Sequence, residues 1–194
     1  MIAIIDYDAG NVKSVQNALK KLGFEAEITS DIETIKNAEK VIFPGVGEAS
    51  SAMKKLKERG LDAVIPNLKQ PVLGICLGMQ LMCNASEEGN TKALGIFDCE
   101  VKLFPNSDIV PHMGWNNVSE MKGELLENIS ETDNFYFVHS YYAEIGESTT
   151  SVCDYITPFS ATLEKNNFYA AQFHPEKSGD AGFKLLENFL NVRF

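Results

Sequence analysis

A cysteine set between two glycines, a histidine two residues before a glutamate, and a glycine-rich turn could together do covalent chemistry in this chain. The cysteine is Cys76, in Pro71-Val-Leu-Gly-Ile-Cys-Leu-Gly-Met-Gln80. The short apolar run after Pro71 reads as a buried parallel strand, and Leu77 to Ala85 is rich in helix formers. Cys76 therefore belongs at a sharp strand-to-helix turn, with Gly74 and Gly78 two residues away on either side. That is the spacing of a nucleophile elbow, with a thiol in place of a hydroxyl. The glycines suit a turn too tight for a neighbouring Cβ. The sulfur would sit at a helix N-terminus, where dipole and free N–H groups favour thiolate. A lone buried cysteine is more often structural, so the rest of a mechanism has to be found.

A thiolate nucleophile needs a base within reach and a group that orients the base. The chain has 3 histidines. His112 falls in Pro111-His-Met-Gly-Trp-Asn116, which reads as a Pro/Gly-rich loop. His139 ends the apolar strand Phe135–Val138, and His174 ends the strand Phe168–Phe173. Strand ends of a parallel sheet share the edge where ligands bind, so His139 and His174 can both approach Cys76. Glu176 favours His174, because across the rigid Pro175 it can hold the same ring. A His-Pro-Glu turn alone would pass for a solvated surface feature; beside an elbow it reads as a base with its orienter. The turn Pro44-Gly-Val-Gly47 offers the N–H groups of Gly45, Val46 and Gly47 which, with that of Leu77, could hold an oxyanion. As a phosphate cradle it fails, since no G-x-x-x-x-G-K-[ST] is present.

The elements that must position these groups are legible in outline. Strands are expected at Ile2–Ile5, Phe24–Ile28, Lys40–Phe43 and Val72–Ile75. They alternate with a helix from Val12 to Leu22 closed by Gly23, a short turn opened by Ser30-Asp31, and a helix through Ala52, Met53, Leu56 and Arg59 closed by Gly60. Such alternation implies an α/β fold, a mostly parallel open twisted sheet with helices on both faces. Beyond the loop Ser86–Asn90, strand-like runs at Glu100–Phe104, Phe135–Val138, Ser151–Tyr155 and Phe168–Phe173 suggest antiparallel strands extending or flanking the sheet. A helix over 181–192 closes one domain spanning residues 1–194.

Composition removes several function classes. A net charge of −10 and a pI of about 4.8 argue against nucleic acid or an anionic membrane as partner. No apolar run reaches the roughly 18 residues of a membrane span, and Met1–Asp6 lacks the flank of a signal peptide. The 4 cysteines show neither C-x-x-C nor His spacing, so no metal, disulfide frame or cofactor is expected, and the compartment reads as cytoplasmic.

The order Pro-Gly-Val-Gly, Gly-Ile-Cys-Leu-Gly-Met-Gln, Phe-His-Pro-Glu resembles the class I glutamine amidotransferases, over essentially the whole chain. The resemblance implies that Cys76 attacks the side-chain amide of L-glutamine, with His174 as acid/base and Glu176 orienting it. It places the substrate around Gly47, Leu77, Gln80, Ser140 and Tyr141. Pro111–Asn116, Tyr136–Tyr141 and His174–Ser178 narrow it to the family's glutaminase subunits of imidazole glycerol phosphate synthase. There a (β/α)8-barrel cyclase subunit forms a heterodimer with the glutaminase and receives its ammonia. That implies an interface at Asn11, Trp115, Tyr136 and Lys177, and little activity in the isolated subunit. The presence of only two arginines, Arg59 and Arg193, fits a division in which the partner handles the phosphates. Glu48-Ala49 departs from the aromatic expected soon after the glycine turn. Sister glutaminases, such as that of anthranilate synthase, differ at Met113–Asn116. Cysteine peptidases on similar sheets place a histidine where Leu77 stands, and a silent binding subunit would have lost one of Cys76, His174 or Glu176.

Overall fold

The computed structural model describes residues 1–193. Its first half alternates strand and helix: β1 (Ile2–Ile5), α1 (Val12–Lys21), β2 (Ala26–Thr29), α2 (Ile32–Asn37), β3 (Lys40–Gly45), α3 (Ala49–Glu58), α4 (Leu61–Val64), β4 (Val72–Cys76) and α5 (Leu77–Met82). The second half is strand-rich: β5 (Ala85–Ser86), β6 (Thr91–Lys92), β7 (Glu100–Leu103), β8 (His112–Asn117), β9 (Asn134–His139), β10 (Tyr141–Ala143), β11 (Thr149–Asp154), β12 (Pro158–Lys165) and β13 (Phe168–Ala171), closed by α6 (Gly179–Asn191).

A seven-stranded sheet runs β11-β12-β13-β4-β3-β1-β2. Every pair from β13 to β2 is parallel, and β11 and β12 add an antiparallel edge. The expected α/β architecture is therefore present. Two buried apolar clusters cover its two faces. One joins Phe43, Leu56, Met79 and Met82 under α2 to α5, and the other joins Ile4, Leu19, Phe137, Phe173 and Phe189 under α1, α6 and β9.

Local chemistry explains the boundaries. Gly23 at φ 85° and Gly60 at φ 69° follow α1 and α3, where a left-handed residue ends a helix at least cost. Asp31 opens α2 by accepting from the Thr34 N–H at 2.7 Å. Glu48, the residue out of place in the family pattern, opens α3 by accepting from the Ser50 and Ser51 N–H groups at 3.0 and 2.8 Å. Those bonds, the Ser51 backbone first, pull its carboxyl below the usual range.

Several expectations need correction. Strand β3 continues through Pro44 and Gly45 instead of breaking at Pro44, with Gly45 opposite Cys76. Helix α5 stops at Met82, short of the expected Ala85. Pro111–Asn116 is not a loop: His112–Asn117 forms β8, paired residue for residue with β9 in a two-stranded ribbon. The strand at Phe168 is parallel to β4, and β12 beside it was not expected at all. Strands β10, β7, β5 and β6 make a separate small sheet. Strand β9 therefore lies outside the parallel sheet, and His139 does not reach the site by the route expected.

Candidate active site

Cys76 is the hinge between β4 and α5, at φ 55° and ψ −113°. A side chain rarely holds that conformation unless its surroundings impose it. Here they do. A Cβ on Gly78 would collide with the Phe43 carbonyl oxygen, and one on Gly74 would lie 2.7 Å from the Met82 sulfur. Strand β3, strand β4 and α5 thus meet at a point with no room for side chains. Gly78→Ala should cost about 3 kcal/mol or more, because the obstacle is backbone. Urea unfolding would check this, and a midpoint equal to wild type would contradict it.

Cys76 is nearly covered, 7% exposed, and its sulfur lies 3.9 Å from the Val138 carbonyl oxygen. His174 and Glu176 are buried beside it. Glu176 Oε1 accepts from His174 Nδ1 at 2.8 Å, which leaves His174 Nε2 without a hydrogen-bond partner among the described residues. Burial opposes charge on this imidazole, but Cys76 and then Glu176 outweigh it and raise His174 to about 10. The backbone of His174 is clamped: its N–H donates to the Tyr136 carbonyl at 2.9 Å, and its carbonyl accepts from the Ser178 hydroxyl at 2.6 Å. Ser178 Oγ also accepts from the Tyr136 N–H at 2.9 Å. A thiol, a charged imidazole facing it and a carboxylate behind form a set suited to nucleophilic attack on an acyl carbon.

A pocket of about 270 Å³ opens over Cys76, below the roughly 300 Å³ at which drug-sized sites begin. It suits a molecule the size of an amino acid. Of the residues expected around the substrate and oxyanion, Val46, Gly47, Leu77, Gln80, Ser140 and Tyr141 line it, and Gly45 does not. Gln80 contributes differently from expectation. Both N–H groups of its amide are spent inside the protein, on Tyr141 O and Gln172 Oε1, each at 2.9 Å. The Val46 N–H points away from the pocket and donates to the Ala9 carbonyl at 2.9 Å. Glu88 and Gln172 were missed. Glu88 lines the pocket, and its carboxyl is raised by burial despite the Ala49 N–H bonded to it. No sequence pattern distinguishes either residue.

His139 lines the pocket too, but both its nitrogens are engaged. A backbone carbonyl can only accept, so His139 Nδ1–H donates to Tyr141 O at 2.8 Å. Its Nε2 then accepts from His112 Nδ1 at 3.0 Å, and His112 Nε2 faces the Asn116 amide at 3.4 Å. Burial holds both rings neutral, His112 near 4 and His139 near 3. Their folded values lie below the unfolded 6.5, so the unfolded chain takes up protons first. Stability is then full above pH 6.5 and is lost as pH falls from there toward 4. A drop from pH 7 to 5 should remove about 2 kcal/mol per histidine. Urea titrations at the two pH values test this, and coincident curves would refute it. His174, raised rather than lowered, acts in the opposite sense: its contribution is full below pH 6.5 and is lost as pH rises from there toward 10.

Of the four residues expected at an interface, Trp115 is 59% exposed and packs on the Tyr136 ring at 5.9 Å. Lys177 lies in a turn, Pro175–Lys177, that packs against both α1 and β9, and Asn11 stands immediately before α1, its side chain making no capping bond to the helix. No group of three or more His, Cys, Asp or Glu that could hold a metal occurs among the described residues.

A family model described as glutamine amidotransferase class-I matches residues 3–192. The imidazole glycerol phosphate synthase subunit HisH of Bacteroides fragilis strain YCH46 is 58% identical, covering 98% of this chain and 99% of that one. The subunit of the same name in Vibrio parahaemolyticus is 45% identical, with 98% of each covered. A solved structure titled glutamine amidotransferase superposes with a TM-score of 0.75 at 20% identity, covering 98% of this chain and 97% of that one.

Proposed function

This chain belongs to the class I glutamine amidotransferases, and on that footing we propose that it is the glutaminase subunit of an imidazole glycerol phosphate synthase. The observation that carries the chemistry is the buried set Cys76, His174 and Glu176 beside a pocket sized for one amino acid. L-glutamine enters with its side-chain amide over Cys76. Its main-chain ammonium faces Glu88, and the Ser140-Tyr141 backbone and the Gln80 carbonyl oxygen hold the rest. The sulfur attacks the amide carbon, and the charge on the former carbonyl oxygen falls to the Leu77 N–H and the Gly45–Gly47 turn. His174 Nε2 gives its proton to the leaving nitrogen, and ammonia departs. A γ-glutamyl thioester remains. His174 then takes a proton from water, which attacks the thioester and releases glutamate.

The relatives' names describe a subunit, which implies a partner. The partner fitting this reading is a (β/α)8-barrel cyclase, docked as a heterodimer on Asn11, Trp115, Tyr136 and Lys177, which receives the ammonia through its barrel. An exposed tryptophan backed by tyrosine has the character of an interface anchor. The reading takes residues 1–194 as one domain, since both apolar clusters share one sheet, and the protein as cytoplasmic. No helix among the described residues is long and apolar enough to cross a membrane. The test is glutamate release from glutamine, with and without a nucleotide-loaded cyclase subunit. Stimulation by the cyclase is expected. Turnover indifferent to it would move the chain to a sister amidotransferase.

A further inference from the structure

Gln172 is fully buried just beyond β13, two residues before His174. Its N–H is fixed to the Ala161 carbonyl at 2.8 Å. The two ends of an amide are told apart only by their partners, and here one partner is unambiguous. The Tyr141 carbonyl can only accept, so the atom of Gln80 2.9 Å from it is nitrogen. The second N–H of that nitrogen meets Gln172 at 2.9 Å, so the Gln172 atom there is oxygen. Turning Gln172 over would set two donors face to face. Its own NH2 is therefore left pointing at Cys76 Sγ, 3.8 Å away. The Tyr141 carbonyl that starts this sequence also receives the proton of His139, so the orientation is held from two sides.

We infer that Gln172 is a catalytic residue: its amide is a fixed hydrogen-bond donor to the nucleophilic sulfur and stabilises the charge that sulfur carries before and after acyl transfer. The inference rests on the glutaminase reading for its role in turnover, but not for its effect on the thiol. A donor aimed at an anion is stronger than one aimed at a neutral group. A contact that is long in an empty site shortens as charge develops. His174 supplies an opposite charge, and Gln172 supplies a dipole that cannot lose its proton. A filler with only a packing role would be replaceable by methionine.

The test is the pH profile of Cys76 alkylation by iodoacetamide on the full chain, read by peptide mass, for wild type and Gln172→Met. The other titratable groups facing the sulfur are His174, Glu176, Tyr7, His139 and Glu88, and all remain in the variant. The alkylation rate at pH 7 should fall about tenfold, with the profile displaced to higher pH. The turnover number for glutamine should fall by a similar factor, and KM should change little. Gln172→Glu, which puts an acceptor where the donor was, should act in the same direction and more strongly. Superimposed alkylation profiles would overturn the inference, whatever happens to thermal stability. If Gln172→Met fails to fold, Gln80→Met frees the Gln172 amide to turn and should also slow alkylation; an unchanged profile there would count against it equally. A displaced profile in a protein that never hydrolyses glutamine would leave the donor role standing and remove the glutaminase reading.

Discussion

Replacing Cys76 by alanine should lower glutamine hydrolysis by about ten-thousand-fold or more, to the level of background, with the fold intact. Residues of a nucleophile–base–orienter set act as a unit, so losing the nucleophile costs nearly the whole covalent route. No other thiol can take over. Cys83, Cys99 and Cys153 are all buried, and burial pushes Cys153 up to about 12. The contact with Cys99 at 3.4 Å, then burial, raise Cys83, and the same contact lowers Cys99, but neither thiol lines the pocket over Cys76. The alanine side chain fits the hinge space, but φ 55° still has to be imposed on it by the packing around Gly74 and Gly78. Glutamine should still bind, since the groups lining the pocket remain, and a thermal shift with added glutamine would show it. Residual hydrolysis within tenfold of wild type would remove Cys76 from the mechanism.

The second large effect concerns the partner. In the structure the Val46 N–H is committed to the Ala9 carbonyl, so an oxyanion over Cys76 would find the Leu77 N–H but not that of Val46. Turning the Gly45–Val46 peptide over would supply the missing donor. Gly47, already at φ 103°, can absorb the rotation without a Cβ in the way. Ala9 belongs to the loop that ends at Asn11, and contact there by a cyclase could release Val46. One oxyanion donor is worth about a hundred- to a thousand-fold in turnover. The isolated chain should therefore be nearly silent, and a loaded cyclase should stimulate it by that factor, in kcat rather than KM. Full turnover without the cyclase would mean that the peptide is not the gate.

The elbow was legible because its glycines answer to a packing constraint expressible in five consecutive residues. The pairing of His174 with Glu176 was legible for the same reason, being local. What escaped notice depends on distant partners. Strand β12 carries Ser160 and Thr162 inward, where they bond Thr149, Thr150 and Ser151 of β11 at 2.7 to 2.8 Å. A buried hydroxyl ladder leaves no apolar alternation to read. Strand β8, with histidine, glycine and asparagine on its inner face, is a strand only because β9 pairs with it. Gln172 looks like any polar residue near a strand end until Gln80 and Cys76 are seen around it.

The ribbon of β8 and β9 alternates strictly. His112, Asn116, Phe137 and His139 point inward, while Met113, Trp115, Tyr136 and Val138 point outward. A one-residue slip would exchange the two sets, exposing the neutral histidines and burying the tryptophan. The connection between the strands, residues 118 to 133, is anchored for most of its length: Ser119 bridges Val152, Leu125 and Leu126 are buried, and Glu164 accepts from the Glu124 and Leu125 N–H groups. Insertions and deletions should be tolerated only at its exposed end, Ser130 to Thr132, whereas the strands themselves keep their length to the residue.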